Sequence, residues 1–497
     1  MRYQSTRNEQ IDLSSAQAIK QGLSEEGGLF VPKQIPSLSS LEIERMAKKS
    51  YQERAYDVLS KFLDDFTEEE LKDCITKAYS KERFETENIA PLYKLNDETY
   101  FLELWHGPTC AFKDMALQIL PHLLTTSIRK TGETRKVVIL VATSGDTGKA
   151  ALEGFKDVNG TRIIVFYPKR GVSEIQKLQM VTQEGNNVGV AAVEGNFDDA
   201  QNGVKTIFTD EEYKEFLANN NFVLSSANSI NWGRLVPQIV YYFSAYADML
   251  HNDEIKSGDK INVCVPTGNF GNILSAYYAK LMGLPINKLI CASNKNNVLT
   301  EFINTGLYNK NRKFFTTASP SMDILISSNL ERFLYLLAGS EKVKGYMSDL
   351  KEKSEYKVDN ALLSEIQEIM WAGFCDDEAA FASISETEKE YGYVMDTHTA
   401  VAKNVYDKYV AETGDKTKTV IASTASPFKF SQSVLMAMDG IESVAGKDEF
   451  TLLAELAEKS GLRAPKSLAE LKNKLTIFNI ACEKDEMPQM VNEFLNI

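Results

Sequence analysis

Lys113 lies in the run Leu104-Trp105-His106-Gly107-Pro108-Thr109-Cys110-Ala111-Phe112-Lys113-Asp114, with a Gly-Pro turn before it and an amphipathic stretch after it. An amine placed where a loop enters a helix, among small or apolar neighbours, is easily desolvated. Desolvation lowers its pKa and frees the lone pair that a Schiff-base lysine needs. Read alone, a lysine is far more often one of the solvated surface charges, of which this chain has many.

Two glycine-bearing loops and a strand end could serve such an amine. Thr143-Ser144-Gly145-Asp146-Thr147-Gly148 follows an apolar strand and opens a helix predicted to begin near Lys149. Backbone N–H groups and the hydroxyls of Ser144 and Thr147 could hold an anion there, a carboxylate or a phosphate. By itself the loop reads more readily as a plain Gly-rich turn with an N-cap. The second loop, Gly268-Asn269-Phe270-Gly271-Asn272, lacks both the dinucleotide fingerprint and the nucleotide P-loop pattern. Its glycines allow positive φ, so amides could converge on a phosphate; a ligand-free turn explains it equally well. Ser423-Thr424-Ala425-Ser426-Pro427-Phe428-Lys429-Phe430 ends another apolar strand and brings Thr424 toward the same crevice, although alone it reads as an ordinary N-cap. One reactive lysine, one phosphate cradle and no metal-ligand pattern together point to pyridoxal 5′-phosphate.

The elements that must position these residues follow from pattern. Apolar runs at 137–142, 162–167, 188–193, 261–265, 289–292 and 419–422 read as buried strands with helices between them, the signature of a parallel, helix-covered α/β fold. Residues 1–90 are mainly helical in pattern, with a turn or short strand at Gly27-Gly28-Leu29-Phe30-Val31-Pro32. The domain reading is a helical region over 1–90, a catalytic α/β region over 91–447 with a smaller subdomain around 115–235, and a helical tail over 448–497 that includes an amphipathic stretch at 468–475. After Lys113, Met115, Ala116, Ile119, Leu120, Leu123 and Leu124 form a helical stripe, which Pro121 should kink or cut short.

The chain has 497 residues and a net charge of −14, with no basic stripe to suggest nucleic acid and no apolar run long enough for a membrane span. Six scattered cysteines read as reduced thiols, four histidines show no metal-ligand spacing, and the N-terminus lacks a signal-peptide core. A cytoplasmic protein is expected. The pattern leaves monomer and dimer equally open.

In these motifs the sequence resembles the threonine synthase family, of the fold type II pyridoxal-phosphate group and its longer microbial branch. Agreement extends beyond the three loops to Tyr3 with Ser5-Thr6-Arg7, to Asn228-Ser229-Ile230-Asn231-Trp232, to Ser319-Pro320-Ser321-Met322-Asp323-Ile324 with Ser328-Asn329 and Glu331-Arg332, and to Asp396 with His398-Thr399-Ala400-Val401. The resemblance implies a lyase converting O-phospho-L-homoserine and water to L-threonine and phosphate, the last step of threonine biosynthesis. Lys113 would bond the cofactor and move protons at Cα and Cβ. Gly268, Asn269, Phe270, Gly271 and Asn272 would hold the cofactor phosphate, Thr424 would face the pyridine nitrogen, and Asp146 would lie near the phenolic oxygen. Thr143, Ser144, Gly145 and Thr147 would bind the substrate carboxylate. Arg234, Lys169 and Lys149 are candidates for the substrate phosphate. Departures fall on the substrate side, with Ser426 where the family often has His, Lys149 where it has small residues, and Thr397 where Pro is common. A related lyase or dehydratase of the same fold, and a non-catalytic ligand-binding relative, are the alternatives.

Overall fold

The computed structural model describes residues 1–143, 145–170 and 172–497. The apolar runs form two separate sheets. In the smaller, the order is Ala481–Cys482, Val188–Val193, Thr161–Pro168, Lys136–Ala142, Phe222–Ser225, every neighbour parallel. Successive residues of its strands enter different cores. Val138, Leu140, Ile164 and Phe166 pack into one cluster, whereas Val137, Ile139, Ile163 and Val165 pack into another. Burial on both faces is why these strands read as continuous apolar runs rather than as alternating ones.

The larger sheet runs Met370–Phe374, Ile286–Ser293, Ile261–Pro266, Thr419–Ser423, Thr99–Glu103, Leu92–Lys94, parallel except for the last pair. Its central feature is the insertion of Thr419–Ser423 between Ile261–Pro266 and Thr99–Glu103. Three adjacent parallel strands therefore point their carboxyl ends the same way, delivering the 268–272 loop, Thr424 and the Lys113 loop side by side.

The N-terminal region contains the expected helices, Ser15–Gln21, Ser40–Arg45, Tyr51–Phe62 and Glu68–Ala78. The last three begin with capping boxes in which Ser39, Ser50 and Thr67 pair with Glu42, Glu53 and Glu70. It also carries a three-stranded antiparallel sheet of Tyr3–Ser5, Asn8–Leu13 and Phe30–Pro32 that the helical pattern did not announce. Arg7 pairs with Glu331 at 2.7 Å and Arg54 with Asp248 at 2.6 Å, tying this region to the catalytic core.

Two local expectations change. The stripe after Lys113 is cut into Asp114–Leu117 and Leu120–Lys130, with Pro121 in the first turn of the second helix, where its missing N–H is harmless. The stretch at 468–475 is not one amphipathic helix: Lys466–Ala469 is followed by a 3₁₀ turn, Glu470–Asn473, and Leu475 is 84% exposed. Beyond it, Ala481–Cys482 adds an edge strand to the smaller sheet, and the helix Met487–Leu495 packs against it. Among the described residues no helix is long and apolar enough to cross a membrane.

Candidate active site

The Lys113 turn is built from within and welded to the neighbouring strand end. Asp114 accepts hydrogen bonds from the Thr109 N–H and hydroxyl, both at 2.8 Å. Burial raises the Asp114 carboxyl to about 6, against the pull of those bonds. An isolated antiparallel bridge joins Ala111 to Ala425; Phe112 N–H donates to the Thr424 carbonyl at 2.8 Å and Ser426 N–H to the Cys110 carbonyl at 3.0 Å. Lys113 and Thr424 are thus fixed in one register.

The Lys113 side chain is 9% exposed. Its Nζ donates to Ser321 Oγ at 3.2 Å, lies 3.5 Å from Asp146 Oδ2, and sits 5.0 Å from the Phe112 ring centroid. Burial pushes this amine below the ordinary lysine range; Asp146 opposes the shift, while Lys429 and Arg234 add to it. Asp146 lies at the start of the helix Asp146–Phe155 on the smaller subdomain. Its other oxygen receives Lys429 Nζ at 2.7 Å and Gln176 Nε2 at 3.0 Å. Burial alone would raise this carboxyl, but Lys429 and Lys113 more than reverse it and hold it ionised.

The 268–272 loop opens the helix Gly271–Leu281. Phe270 adopts φ 64°, a left-handed geometry unusual outside glycine, and its ring is anchored 5.6 Å from Phe333. The loop carbonyls are occupied: Gly268 accepts from Ser327 Oγ at 2.7 Å, and Asn269 from Asn329 N–H and Nδ2, both at 3.1 Å. Among the described residues the N–H groups of Gly268, Asn269, Phe270 and Gly271 donate to nothing. Asn272 is buried and accepts from the Tyr242 hydroxyl, while its Nδ2 has no partner. A Cβ on Gly268 would come within 2.8 Å of the Ser321 carbonyl oxygen, so glycine lets the 319–323 segment close over the loop.

The 143–148 loop is different. The Thr143 hydroxyl accepts from Gly145 N–H and Gly148 N–H, both at 2.9 Å, so two of its amides are already satisfied. This internal cap lets the helix begin at Asp146 rather than near Lys149. Gly145 has φ 150°, and a Cβ there would come within 2.5 Å of the Gln176 side chain. Thr147 stands in the first helical turn; Ser144 lies outside the described residues.

The three candidate cations are placed unequally. Arg234 is buried in the helix Trp232–His251, donates to the Ala227 carbonyl at 2.9 Å, and is lowered to about 10 by burial. Among the described residues no carboxylate pairs with it. Lys169 follows the strand Thr161–Pro168, is exposed, and pairs with Glu194. Lys149 is buried but turned to Glu153 at 3.0 Å and to Gln183. That pairing directs it into its own subdomain, so Lys149 is not brought to the crevice as a free cation.

Several site residues carried no role in the sequence reading. Lys429 is fully buried between Asp146, the Thr109 carbonyl at 3.0 Å and Gln179 Oε1 at 3.3 Å. Ser321 N–H donates to His398 Nε2 at 3.1 Å, which leaves the ring proton on Nδ1 to meet Asp396 Oδ2 at 2.7 Å. Asn294 and Asn296, beyond the strand Ile286–Ser293, grip Asp323 Oδ1 at 2.8 and 2.9 Å and so fix the segment bearing Ser321. The sequence signal was position alone: Lys429 stands within eight residues of a strand end, and Ser321 and His398 fall in the resembling stretches.

Comparison with known proteins adds to this geometry. Residues 2–79 match the family described as threonine synthase N terminus, 84–425 match pyridoxal-phosphate dependent enzyme, and 399–475 match threonine synthase, C-terminal. The threonine synthase of Saccharomyces cerevisiae is 34% identical over 495 residues, covering 93% of both chains. Human threonine synthase-like 1 is 42% identical over 436 residues, covering 85% of this chain; the chain spans 58% of that relative's length. The crystal structure of PLP-bound threonine synthase from Brucella melitensis superposes with a TM-score of 0.87 at 34% identity, covering 99% of each chain. Yeast threonine synthase superposes at 0.88 with 32% identity, covering 100% of this chain and 99% of the other. The chain belongs to the threonine synthase family of pyridoxal-phosphate-dependent enzymes.

Proposed function

We propose that this protein is a threonine synthase that turns O-phospho-L-homoserine and water into L-threonine and phosphate. The observation that carries the reading is the pairing, at strand ends flanking Thr419–Ser423, of a buried amine with a cradle of unpartnered donors ending in Asn272 Nδ2. These residues fit pyridoxal 5′-phosphate. The amides of 268–271, the Asn272 side chain and the helix N-terminus suit its phosphate, and Lys113 suits its aldehyde. When bound, the cofactor withdraws electrons from the substrate carbons beside the amino group.

The remaining work falls to the chain. Lys113, with its proton affinity lowered by burial, takes the proton from Cα, then one from Cβ, and returns protons as the bonds reform. Ser321 holds the amine in place between these transfers. Thr424 would offer a hydroxyl to the cofactor's ring nitrogen, and a hydroxyl, unlike a carboxylate, would not favour a charged ring there. Thr147 remains for the substrate carboxylate, since Thr143 has engaged two amides of its loop. Arg234 takes the substrate phosphate: a buried guanidinium lacking a carboxylate partner has most to gain from a dianion. Lys169, exposed after the strand Thr161–Pro168, assists capture from solvent.

Incubation of the holoenzyme with O-phospho-L-homoserine tests the reading. Threonine with one phosphate supports it, whereas 2-oxobutyrate with phosphate indicates a phospho-lyase of the same fold. Lys113→Ala should abolish turnover with the circular dichroism spectrum unchanged. Threonine formation at the parental rate by that variant would sink the assignment, and failure of borohydride to fix cofactor on Lys113 of the parent would favour a non-catalytic relative.

A further inference from the structure

Asp146 is shared by two buried lysines, and it is not shared equally. Lys429 closes on one oxygen at 2.7 Å, and its side chain is completely buried. Lys113 approaches the other oxygen at 3.5 Å, longer than a well-formed ion pair, and takes Ser321 Oγ as its hydrogen-bond acceptor. Lys429 also donates to the Thr109 carbonyl and to Gln179 Oε1. It therefore spans from the Lys113 turn to helices Asp146–Phe155 and Glu174–Val181 of the smaller subdomain.

We propose that Lys429 is a positioning residue that occupies Asp146 so that the Lys113 amine is released from it. The inference rests on the role proposed above for Lys113. An amine attacks an aldehyde only through a free lone pair. A lysine alone with a buried aspartate would keep its proton, because each charge would be the other's sole compensation. A second lysine in the closer position satisfies the carboxylate and adds positive charge nearby, and both effects favour the neutral amine. The charged groups that bear on Lys113 are Asp146 across the cleft, Lys429 from the 3₁₀ turn Pro427–Phe430, Arg234 from the helix Trp232–His251, and Asp114 on its own helix. His398 reaches it through Ser321, whose N–H donates to His398 Nε2. Counting Lys113 protonated, two ammonium groups contact Asp146, and Arg234 adds positive charge toward Lys113. That charge suits a site whose guests bring phosphates, and it disfavours a second ammonium beside Lys429. Lys429 is thus the counterweight that keeps Asp146 ionised when the Lys113 nitrogen gives up its charge.

The test follows the rate at which cofactor-stripped protein combines with pyridoxal 5′-phosphate across a range of pH, read by absorbance, with borohydride trapping to locate the bond. Lys429→Met should move the profile to higher pH and slow combination at neutral pH by about tenfold or more, as a one-unit rise in amine pKa requires. Lys429→Arg keeps the charge and should stay within about threefold of the parent. Adding Asp146→Asn to Lys429→Met should bring the neutral-pH rate back toward the parental value. An unmoved profile in Lys429→Met, or a double variant no faster than the single one, overturns the proposal. If Lys429→Met does not fold, Asp146→Asn alone decides: its profile should shift to lower pH, and an unchanged profile refutes the idea. A parental protein that never bonds cofactor at Lys113 would instead overturn the functional reading on which this one stands.

Discussion

The two glycine-bearing turns of the crevice, 143–148 and 268–272, arise in the same way and end differently. Each follows a buried strand and opens a helix on a parallel sheet. In the first, the Thr143 hydroxyl accepts two of the loop's own amides. In the second, the neighbours Ser327 and Asn329 occupy only carbonyls, and among the described residues the loop N–H groups and Asn272 Nδ2 have no acceptor. Glycine content does not separate a turn from a cradle. What separates them is whether a side chain in the loop supplies an acceptor for its amides. A buried donor without a partner costs about 1–3 kcal/mol, a cost that a bound anion at this loop would offset.

The contrast can be broken in three ways. Asn272→Asp should have the largest effect. It keeps an acceptor for the Tyr242 hydroxyl but replaces the unpartnered donor with an anion, and cofactor affinity should fall about a hundredfold in equilibrium titration. An affinity within about threefold of the parent would mean that the 268–272 loop is only a turn. Thr143→Val comes next. Stripping the acceptor from two amides should lower unfolding stability by about 2 kcal/mol while cofactor affinity changes less than about threefold. A large loss of cofactor affinity instead would move the first loop into the cradle class. The smallest effect belongs to the Lys113 turn, whose amide acceptor, Asp114, is itself buried. Its carboxyl is raised in the folded state, to about 6 against an unfolded value near 3.8, so the native protein binds the proton more readily. Stability should therefore rise by about 1 kcal/mol as pH falls from about 7 to 5. Asp114→Asn should remove that slope in denaturant titrations; if the slope persists in the variant, another group carries it.

The central strands were legible in the sequence because burial on both faces leaves only apolar β-branched residues, a pattern that needs no partner to be seen. Thr99–Glu103 was not legible. It is five residues long, begins and ends in the polar residues Thr99 and Glu103, and is a strand because Thr419–Ser423 lies beside it. Tyr3–Ser5 and Asn8–Leu13 were hidden for a related reason: Asn8, Glu9, Gln10 and Asp12 lie on the partly exposed edge of a small sheet. The spacing at 468–475 imitated a helix, but no core faces Leu475. In the site, Lys113 and the 268–272 loop drew notice only together, since each alone reads as a surface charge or a ligand-free turn. Lys429 did not, since a lysine between Phe428 and Phe430 looks like a surface charge until Asp146 is folded against it.

The bridge between Ala111 and Ala425 also bears on how the molecule is made. Contacts such as Lys429 to the Thr109 carbonyl join residues 320 positions apart. On the ribosome, strands 136–225 of the smaller sheet can find one another early, except for the late edge Ala481–Cys482. The larger sheet waits until Thr419–Ser423 emerges to fill its middle. The reactive amine is synthesised in the first quarter of the chain yet gains its surroundings only near the end. A nascent chain should therefore bind cofactor abruptly and late, in a single step rather than by gradual maturation.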